Sequence, residues 1–209
     1  MGRGMRKNLI VFEGVDFCGK TTQIQYAEAF LKSKGRDVVR YREPGGTAAG
    51  EKIREVLLDI TQSAMKPKTE VLLFFAARMQ LLEEQVLPAI KTGKTAILDR
   101  YYYSTAAYQG SVMDGYGPGW VTALAEDWLR LPEPDLVIYL DGDPEKLAPR
   151  KTGEKDRIEA RGLDYQKKVR ATYLALADYR RHIFNVVNAE RPVEEVRKEI
   201  EAILEREVA

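Results

Sequence analysis

A short stretch near the start of the chain has the residue types and spacing of a phosphate-binding loop. It fits the pattern G-x-x-x-x-G-K-T and reads Gly14-Val15-Asp16-Phe17-Cys18-Gly19-Lys20-Thr21-Thr22. Gly14 and Gly19 let the backbone turn tightly, so that its N–H groups point inward at a polyphosphate. Lys20 would reach the β- and γ-phosphates, and the hydroxyl of Thr21 would hold Mg²⁺. The pattern therefore predicts a nucleoside-triphosphate site.

The segments on either side of this loop have the periodicity that its geometry requires. Residues 8–13 form a short apolar run typical of a buried parallel strand. Residues 21–34 carry apolar side chains at helical spacing, and Gly35 is suited to end that helix. The N-terminus of such a helix adds partial positive charge beside the loop. Strand, loop and helix in this order favour a functional loop over a chance match in a glycine turn.

Composition limits the kind of protein that this chain can be. It has 209 residues, of which 33 are Lys or Arg, 32 are Asp or Glu, and 44% are hydrophobic. These values predict one soluble globular domain over residues 1–209. The balanced charge does not indicate a nucleic-acid or membrane surface, and no apolar run reaches membrane-spanning length. The start of the chain does not resemble a secretory signal, and its single cysteine, Cys18, favours a reducing cytoplasm.

Four further apolar runs follow the first strand, and helical patterns separate them. The runs cover residues 37–41, 95–99, 136–140 and 184–187. The helical patterns cover 49–58, 69–90, 104–109, 120–131, 141–147, 164–182 and 193–205. Short buried strands that alternate with helices predict an α/β fold of three layers, in which helices cover both faces of a five-stranded parallel sheet. With the phosphate-binding loop, this is the P-loop NTPase fold.

Charged residues follow the ends of the second and third strands. The sharp loop after the second strand reads Arg42-Glu43-Pro44-Gly45-Gly46-Thr47 and lies where open α/β sheets bind ligands. Arg42 is suited there to bind a second anion, although an incidental surface charge is the alternative. Asp99, at the end of the third strand, suits a Mg²⁺ partner, with a helix cap as the alternative. Arg100 would face the phosphates.

The helical pattern over residues 69–90 is mostly core by its apolar spacing. Arg78 comes four residues after Phe74 and would lie on the same helix face. This pair could present a flat apolar surface with a hydrogen-bond donor at its edge, as a nucleobase requires. Ordinary packing is the alternative. Arg54, on the polar side of the preceding short helix, is also available to a ligand.

Residues 150–157 are dense in charge and poor in apolar side chains. Runs of this kind are usually solvated loops. In a phosphoryl-transfer enzyme, however, a mobile basic segment closes over the triphosphate and places an arginine on the transferring group. We expect a short mobile lid over about residues 148–162. The loop and the arginines at two strand ends together predict phosphoryl transfer between nucleotides.

These residues, in this order, resemble the thymidylate (dTMP) kinase family over nearly the whole chain. The most specific parts are the loop from Arg42 to Thr47, Asp99-Arg100-Tyr101, Ser104, Ala107-Tyr108-Gln109, Pro134-Asp135-Leu136, Leu140-Asp141 and Asp156-Arg157-Ile158-Glu159. The resemblance implies ATP as co-substrate, Mg²⁺ as cofactor and dTMP as acceptor, with dTDP and ADP as products in dTTP biosynthesis. It also implies a homodimer.

The same resemblance implies roles for residues that would bind the acceptor base and phosphate. Phe74 would stack on thymine, with Arg78 and Gln109 at the polar edge of the base. Arg42 and Arg100 would bind the dTMP phosphate. The whole acceptor set is Arg42, Glu43, Pro44, Arg54, Phe74, Arg78, Arg100, Ser104, Tyr108, Gln109 and Glu159.

The sugar, metal and transferring group have implied partners too. Tyr108 would pack against the sugar and disfavour a 2′-OH, and Asp16 would approach the 3′-OH. Thr21 and Asp99 would hold the metal. The catalytic set is Lys20, Arg100, Arg157, Arg150 and Asp16.

Two loop positions depart from the pattern of the family. Some members carry an arginine where this chain has Phe17, which cannot stabilise charge. We therefore expect the catalytic arginine to come from the lid, as Arg157 or Arg150, with Lys151 and Lys155 as further candidates. Phe17 and the cysteine after it affect loop dynamics rather than the binding geometry, since the loop binds through backbone N–H groups.

Two other functions compete with this interpretation. A different nucleoside-monophosphate kinase or a deoxynucleoside kinase would keep the chemistry and change the acceptor. A nucleoside kinase has no need for two acceptor-phosphate arginines, so Arg42 and Arg100 argue against it. A P-loop nucleotide switch would carry guanine-reading motifs or a partner surface, and neither is recognisable.

Overall fold

Five parallel strands form the centre of the fold in the computed structural model, which describes residues 7–113, 115–150 and 156–208. The strands are β1 (Leu9–Gly14), β2 (Val38–Arg42), β3 (Thr95–Asp99), β4 (Leu136–Asp141) and β5 (Phe184–Asn188). Their order across the sheet is β2-β3-β1-β4-β5. The predicted five-stranded parallel sheet is confirmed.

Burial along the strands follows their position in the sheet. Every residue of the central strand β1 is buried, and in β4 only the last residue is half-buried. The outer strands β2 and β5 mix buried with half-buried or exposed residues. A strand with neighbours on both sides and helices around it must be apolar almost throughout, which is why β1 and β4 read as continuous apolar runs.

Nine α-helices occur within the described ranges and pack around the sheet. They are α1 (Lys20–Ser33), α2 (Ala48–Leu58), α3 (Pro67–Leu81), α4 (Leu87–Lys91), α5 (Tyr102–Tyr108), α6 (Gly117–Ala123), α7 (Pro144–Leu147), α8 (Leu163–Tyr179) and α9 (Val193–Glu207). No helix in these ranges is both long and apolar enough to cross a membrane.

Two of the predicted helices contain π-helical turns that the sequence pattern did not predict. The pattern over residues 69–90 is split, because a π-helical turn, Leu82–Val86, joins α3 to α4. Pro88 has no N–H for the carbonyl four residues before it, and the wider turn accommodates that loss. The helix expected from Trp120 begins at Gly117 and ends in a second π-helical turn, Leu124–Trp128.

The register of the strands decides which loops meet. Phe12 of β1 pairs with Asp99 of β3, and Asp99 also pairs with Arg42 of β2. The carboxyl ends of these three strands therefore lie side by side. The phosphate-binding loop after β1 consequently meets the residues that follow β2 and β3 at one edge of the sheet.

Asp135 secures the opposite edge, where β1 and β4 begin. Its Oδ2 accepts hydrogen bonds from the backbone N–H groups of Asn8 at 2.8 Å and Leu9 at 2.9 Å. Its own N–H donates to the carbonyl of Leu9 at 2.9 Å. The Pro134-Asp135-Leu136 motif thus joins two strands rather than contributing to the ligand site.

We expect Asp135→Ala to lower the free energy of unfolding by about 1–3 kcal/mol, because two backbone N–H groups lose their acceptor. Denaturant titration measures this change. The matched control is Asp178→Ala, whose side chain is 83% exposed and which should shift stability by less than about 0.5 kcal/mol. Equal effects of the two substitutions would contradict the role of Asp135.

Candidate active site

The carboxyl ends of β1, β2 and β3 border a cavity of about 270 Å³. Most of the candidate site residues line it, although they come from separate parts of the chain. Those residues are Asp16, Lys20, Thr21, Arg42, Glu43, Pro44, Arg54, Phe74, Arg78, Asp99, Arg100, Ser104, Tyr108, Gln109 and Glu159. The fold therefore brings the predicted donor-side and acceptor-side residues to one place.

The phosphate-binding loop joins β1 to α1 in a conformation that depends on glycine. Gly14 has φ +155°, and a Cβ atom there would lie 2.8 Å from the carbonyl oxygen of Leu140. Gly19 has φ +88° and immediately precedes α1. Lys20 is buried, and its ammonium donates to the carbonyls of Gly14 and Val15, each at 3.2 Å. Thr21 and Thr22 lie exposed in the first turn of α1, where unpaired backbone N–H groups favour anions.

The two unusual loop residues differ in how far they are enclosed. Cys18 is buried, and its Sγ lies 3.7 Å from the ammonium of Lys20. Phe17 is partly buried against the hydrophobic core and has φ +64°, a left-handed conformation that is uncommon outside glycine. The enclosed thiol agrees with a residue that fills a tight turn.

Arg100 connects the phosphate-binding loop to α5. Its guanidinium donates to Asp16 Oδ1 at 2.6 Å, to the Gly14 carbonyl at 3.0 Å and to Ser104 Oγ at 3.2 Å. A further contact joins it to the hydroxyl of Tyr108 at 3.3 Å. Its backbone has φ +75°. Strained conformations of this kind concentrate at functional sites, where surrounding contacts maintain them.

Glu13 lies beneath the site, and sequence reasoning included it only in the apolar run over residues 8–13. It is fully buried and accepts hydrogen bonds from the N–H groups of Tyr101 and Ser104, from the Ser104 hydroxyl and from the Tyr173 hydroxyl. Burial raises the pKa of Glu13, while the hydrogen bond from Ser104 and the charge of Arg100 oppose that rise. A carboxylate inside an apolar strand was the signal available in the sequence.

A second part of the cavity has a wall of buried, hydrogen-bonded polar side chains. Arg78 is buried and donates from Nε to Glu43 Oε2 at 2.6 Å and from NH2 to Thr105 Oγ1 at 3.2 Å. Phe74, half-buried, lines the cavity with them. Within the described ranges, Arg78 NH1, Glu43 Oε1 and Gln109 Oε1 are buried without a hydrogen-bond partner. Buried polar atoms of this kind require an explanation, and a bound ligand supplies one.

Two further cations border the same cavity. Arg42 is exposed and pairs with Glu51 at 3.1 Å. Arg54 donates to the carbonyl of Pro44 at 2.9 Å. Burial lowers the pKa of Arg54, and the positive charge of Arg42 lowers it further. The two guanidinium groups repel each other, and an anion bound between them would offset that repulsion.

Arg157, which was predicted to act on the transferring group, is buried and is not among the residues that line the cavity. Its side chain is buried and donates to the carbonyl of Leu57 at 2.9 Å and to Glu70 Oε1 at 2.6 Å. Arg161 also donates to Glu70. A buried carboxylate needs cationic or hydrogen-bonding partners, and both arginines supply them to Glu70. Sequence reasoning missed Glu70 and Arg161, because charged residues in helical or charge-rich segments usually face solvent.

The other lid candidates are Arg150, which is described, and two lysines between residues 151 and 155, which are not. Arg150 ends a 3₁₀ turn, Ala148–Arg150, and donates to the carbonyl of Ala189 at 3.1 Å. Ala189 directly follows β5, so Arg150 lies at the end of that strand. Lys151 and Lys155 lie outside the described residues. Mobility of the lid over 148–162 stays a prediction.

Glu43 generates a pH-dependent contribution to stability. Burial raises its pKa from 4.5 to about 7, although Arg78 opposes that rise. The folded protein therefore binds the proton of Glu43 more tightly than the unfolded chain does. The contribution of this proton to folding stability is complete below about pH 4.5 and is lost as the pH rises through about 7.

We expect the free energy of unfolding of the parent protein, relative to Glu43→Gln, to decrease by up to about 3 kcal/mol between pH 5 and pH 8, since one pKa unit is about 1.4 kcal/mol. Chemical denaturation of both proteins at the two pH values measures this difference. A difference that does not change with pH would contradict the assignment.

Comparison with known proteins agrees with this geometry. The family model for thymidylate kinase matches residues 12–200. A thymidylate kinase from Caldanaerobacter subterraneus subsp. tengcongensis is 44% identical over 173 residues, which are 82% of this chain and 82% of that protein. Another, from Chlorobium luteolum, is 41% identical over 203 residues, which are 90% of this chain and 92% of that protein. The predicted family is confirmed, and this chain belongs to the thymidylate kinase family.

Proposed function

We propose that the cavity transfers the γ-phosphoryl group of ATP to dTMP, with dTDP and ADP as products. One observation carries this proposal: the phosphate-binding loop and three arginines outside it, Arg42, Arg54 and Arg100, line the same cavity. Two anion sites that share one cavity suit transfer between two phosphorylated substrates. Phosphoryl transfer depends mainly on such positioning and on charge stabilisation.

The donor side consists of the loop and the first turn of α1. Backbone N–H groups in the loop and the partial positive charge of the helix would hold the β- and γ-phosphates. Lys20 donates to two backbone carbonyls at 3.2 Å. Its ammonium can exchange these moderate contacts for charge-assisted hydrogen bonds to phosphate oxygens.

The acceptor side would hold the dTMP phosphate between Arg42, Arg54 and Arg100. Asp16 is fixed from two directions, because Arg100 donates to Oδ1 at 2.6 Å and Gln166 Nε2 donates to Oδ2 at 2.8 Å. This carboxylate is therefore positioned to accept a hydrogen bond from the sugar 3′-OH. Arg100 also contacts the loop, and we infer that it stabilises charge on the transferring group in place of the arginine absent at position 17.

Mg²⁺ fits the donor set of this cavity. The Thr21 hydroxyl and the Asp99 carboxylate both line it and supply oxygen ligands, which Mg²⁺ prefers. Among the described residues there is no cluster of three or more histidine, cysteine or acidic side chains that could hold a metal. Phosphate oxygens and water would therefore complete the coordination shell of the ion. The bound ion neutralises charge that develops on the phosphates.

We also infer a homodimer and a cytoplasmic location. Three large apolar side chains in and beside α2 and α3 are exposed: Val56 by 45%, Ile60 by 60% and Leu72 by 59%. Since α2 packs against α3, this surface suits a second copy of the chain. The one cysteine is a free thiol, in agreement with a reducing compartment.

The acceptor is tested by ADP release in the presence of ATP and Mg²⁺ with dTMP, dUMP, ribothymidine monophosphate or thymidine. We expect dTMP to exceed the others, with thymidine lower by about 100-fold or more in kcat/KM, because it lacks the phosphate that the arginines bind. Equal ADP release with every acceptor, or no ADP release above an acceptor-free blank, would refute dTMP as the acceptor. Only the assignment of an ATP-binding site would then stand.

Arg100→Met should lower kcat/KM for dTMP by about 100-fold or more, because a preorganised donor to the phosphates is lost. Steady-state kinetics measures this loss, and circular dichroism verifies the fold. The control is Arg40→Met, since Arg40 pairs with Glu28 on the surface and is 42% exposed. A similar decrease in the control, or none in Arg100→Met, would remove Arg100 from the mechanism.

A further inference from the structure

We propose that Glu70 is a positioning residue that fixes the side-chain amide of Gln109 and so makes the cavity select one polarity of base edge. The selected edge carries a hydrogen-bond acceptor beside an N–H donor. This inference deepens the proposed function and rests on it, because it concerns the base of the acceptor nucleotide.

Glu70 lies on α3 among three hydrogen-bond donors. Its side chain is fully buried. Oε1 accepts from Arg157 NH1 at 2.6 Å and from Arg161, and Oε2 accepts from Gln109 Nε2 at 3.1 Å. In all three contacts an oxygen of Glu70 is the hydrogen-bond acceptor.

Glu70 sets the orientation of the Gln109 amide. An amide has one donor end and one acceptor end, and here the NH₂ end of Gln109 donates to Oε2 of Glu70. The reversed amide would place two oxygens against each other. Glu70 therefore holds Nε2 and turns Oε1 away from itself. Within the described part of the chain, Gln109 Oε1 is buried and without a partner, and Gln109 lines the cavity.

Arg78 supplies the complementary donor. Its Nε is held by Glu43 and its NH2 by Thr105, so that NH1 is left without a partner among the described residues. The wall thus offers a donor, Arg78 NH1, and an acceptor, Gln109 Oε1, beside Glu43 Oε1, which also has no partner among the described residues. Thymine and uracil match this wall with O4 and N3–H, whereas cytosine presents an amino donor and an acceptor nitrogen in the reverse order.

This arrangement also gives Arg157 a different role from the catalytic one predicted for it. Arg157 and Arg161 occupy Oε1 of Glu70 and provide its counter-charge. Oε2 is then left for Gln109. We infer that these two arginines act on base selection through Glu70 rather than on the transferring phosphoryl group.

The test compares the dissociation constants of dUMP and dCMP, which both lack the 5-methyl group and differ only in the polarity of the edge. The discrimination ratio is Kd of dCMP divided by Kd of dUMP. We expect Glu70→Gln to lower this ratio by about tenfold or more, because a glutamine can present either end of its amide and lets Gln109 turn. The control is Glu126→Gln, which loses an ion pair with Arg180 outside the cavity and should leave the ratio unchanged.

A second comparison asks whether Glu70 acts through Gln109. Gln109→Leu removes the acceptor, so adding Glu70→Gln to that variant should not change the ratio further. An additional decrease in the double variant would overturn the proposal. Equal loss of affinity for both nucleotides in Glu70→Gln, with the ratio unchanged, would show that Glu70 only supports the fold and would also overturn it.

Activity of the parent protein separates this proposal from the proposed function. Absence of dTMP phosphorylation would refute the function itself, whereas normal activity with an unchanged ratio in Glu70→Gln refutes only the role of Glu70. If circular dichroism shows that Glu70→Gln does not fold, Arg161→Met replaces it, because Arg161 is less buried and Arg157 still pairs with Glu70. A decrease in the ratio of about twofold or more is then expected, and an unchanged ratio counts against the proposal.

Discussion

A carboxyl group buried away from water needs hydrogen bonds or a nearby cation to stabilise it. Three such groups organise the cavity. Glu13 lies on β1, Glu43 in the loop after β2 and Glu70 on α3, and each is at most 3% exposed. Glu13 accepts hydrogen bonds from residues at the start of α5, and Glu43 accepts one from Arg78. Glu70 accepts hydrogen bonds from Arg157 and from a second arginine. Because the partners come from different elements, the hydrogen bonds of these three carboxyl groups join the walls of the cavity.

The two ends of the cavity differ in how their polar side chains are held. At the end formed by α3 and α5, Arg78 and Gln109 are buried and held by acidic partners, so their remaining polar atoms have fixed directions. At the end formed by the loop after β2, Arg42 is more than half exposed and pairs with Glu51. The buried end suits the proposed recognition of a flat base by hydrogen-bond polarity, and the exposed arginine suits the proposed binding of a phosphate.

Local rules of the chain account for much of the fold. The glycine turn, the apolar strand before it and the helix after it depend on residues adjacent in sequence, and all three form as expected. Alternation of apolar runs with helical patterns also predicted the parallel sheet. The helix boundary at Gly117 and the π-helical turn before Pro88 departed from expectation. Periodicity shows that a helix exists more clearly than it shows where the helix ends or widens.

Sequence alone determined the phosphate-binding loop, the parallel sheet, the family resemblance and the residues that could meet at the ends of β1, β2 and β3. These features depend on turn chemistry and on periodicity, which are local. Only the tertiary structure decided where Glu13, Glu70 and Arg157 lie and which groups they contact. Glu70 and Arg157 are 87 positions apart, and Glu13 and Tyr173 are 160 apart. A charged residue reads the same in sequence whether it faces water or a buried partner, and only packing of the elements settles which of the two it does.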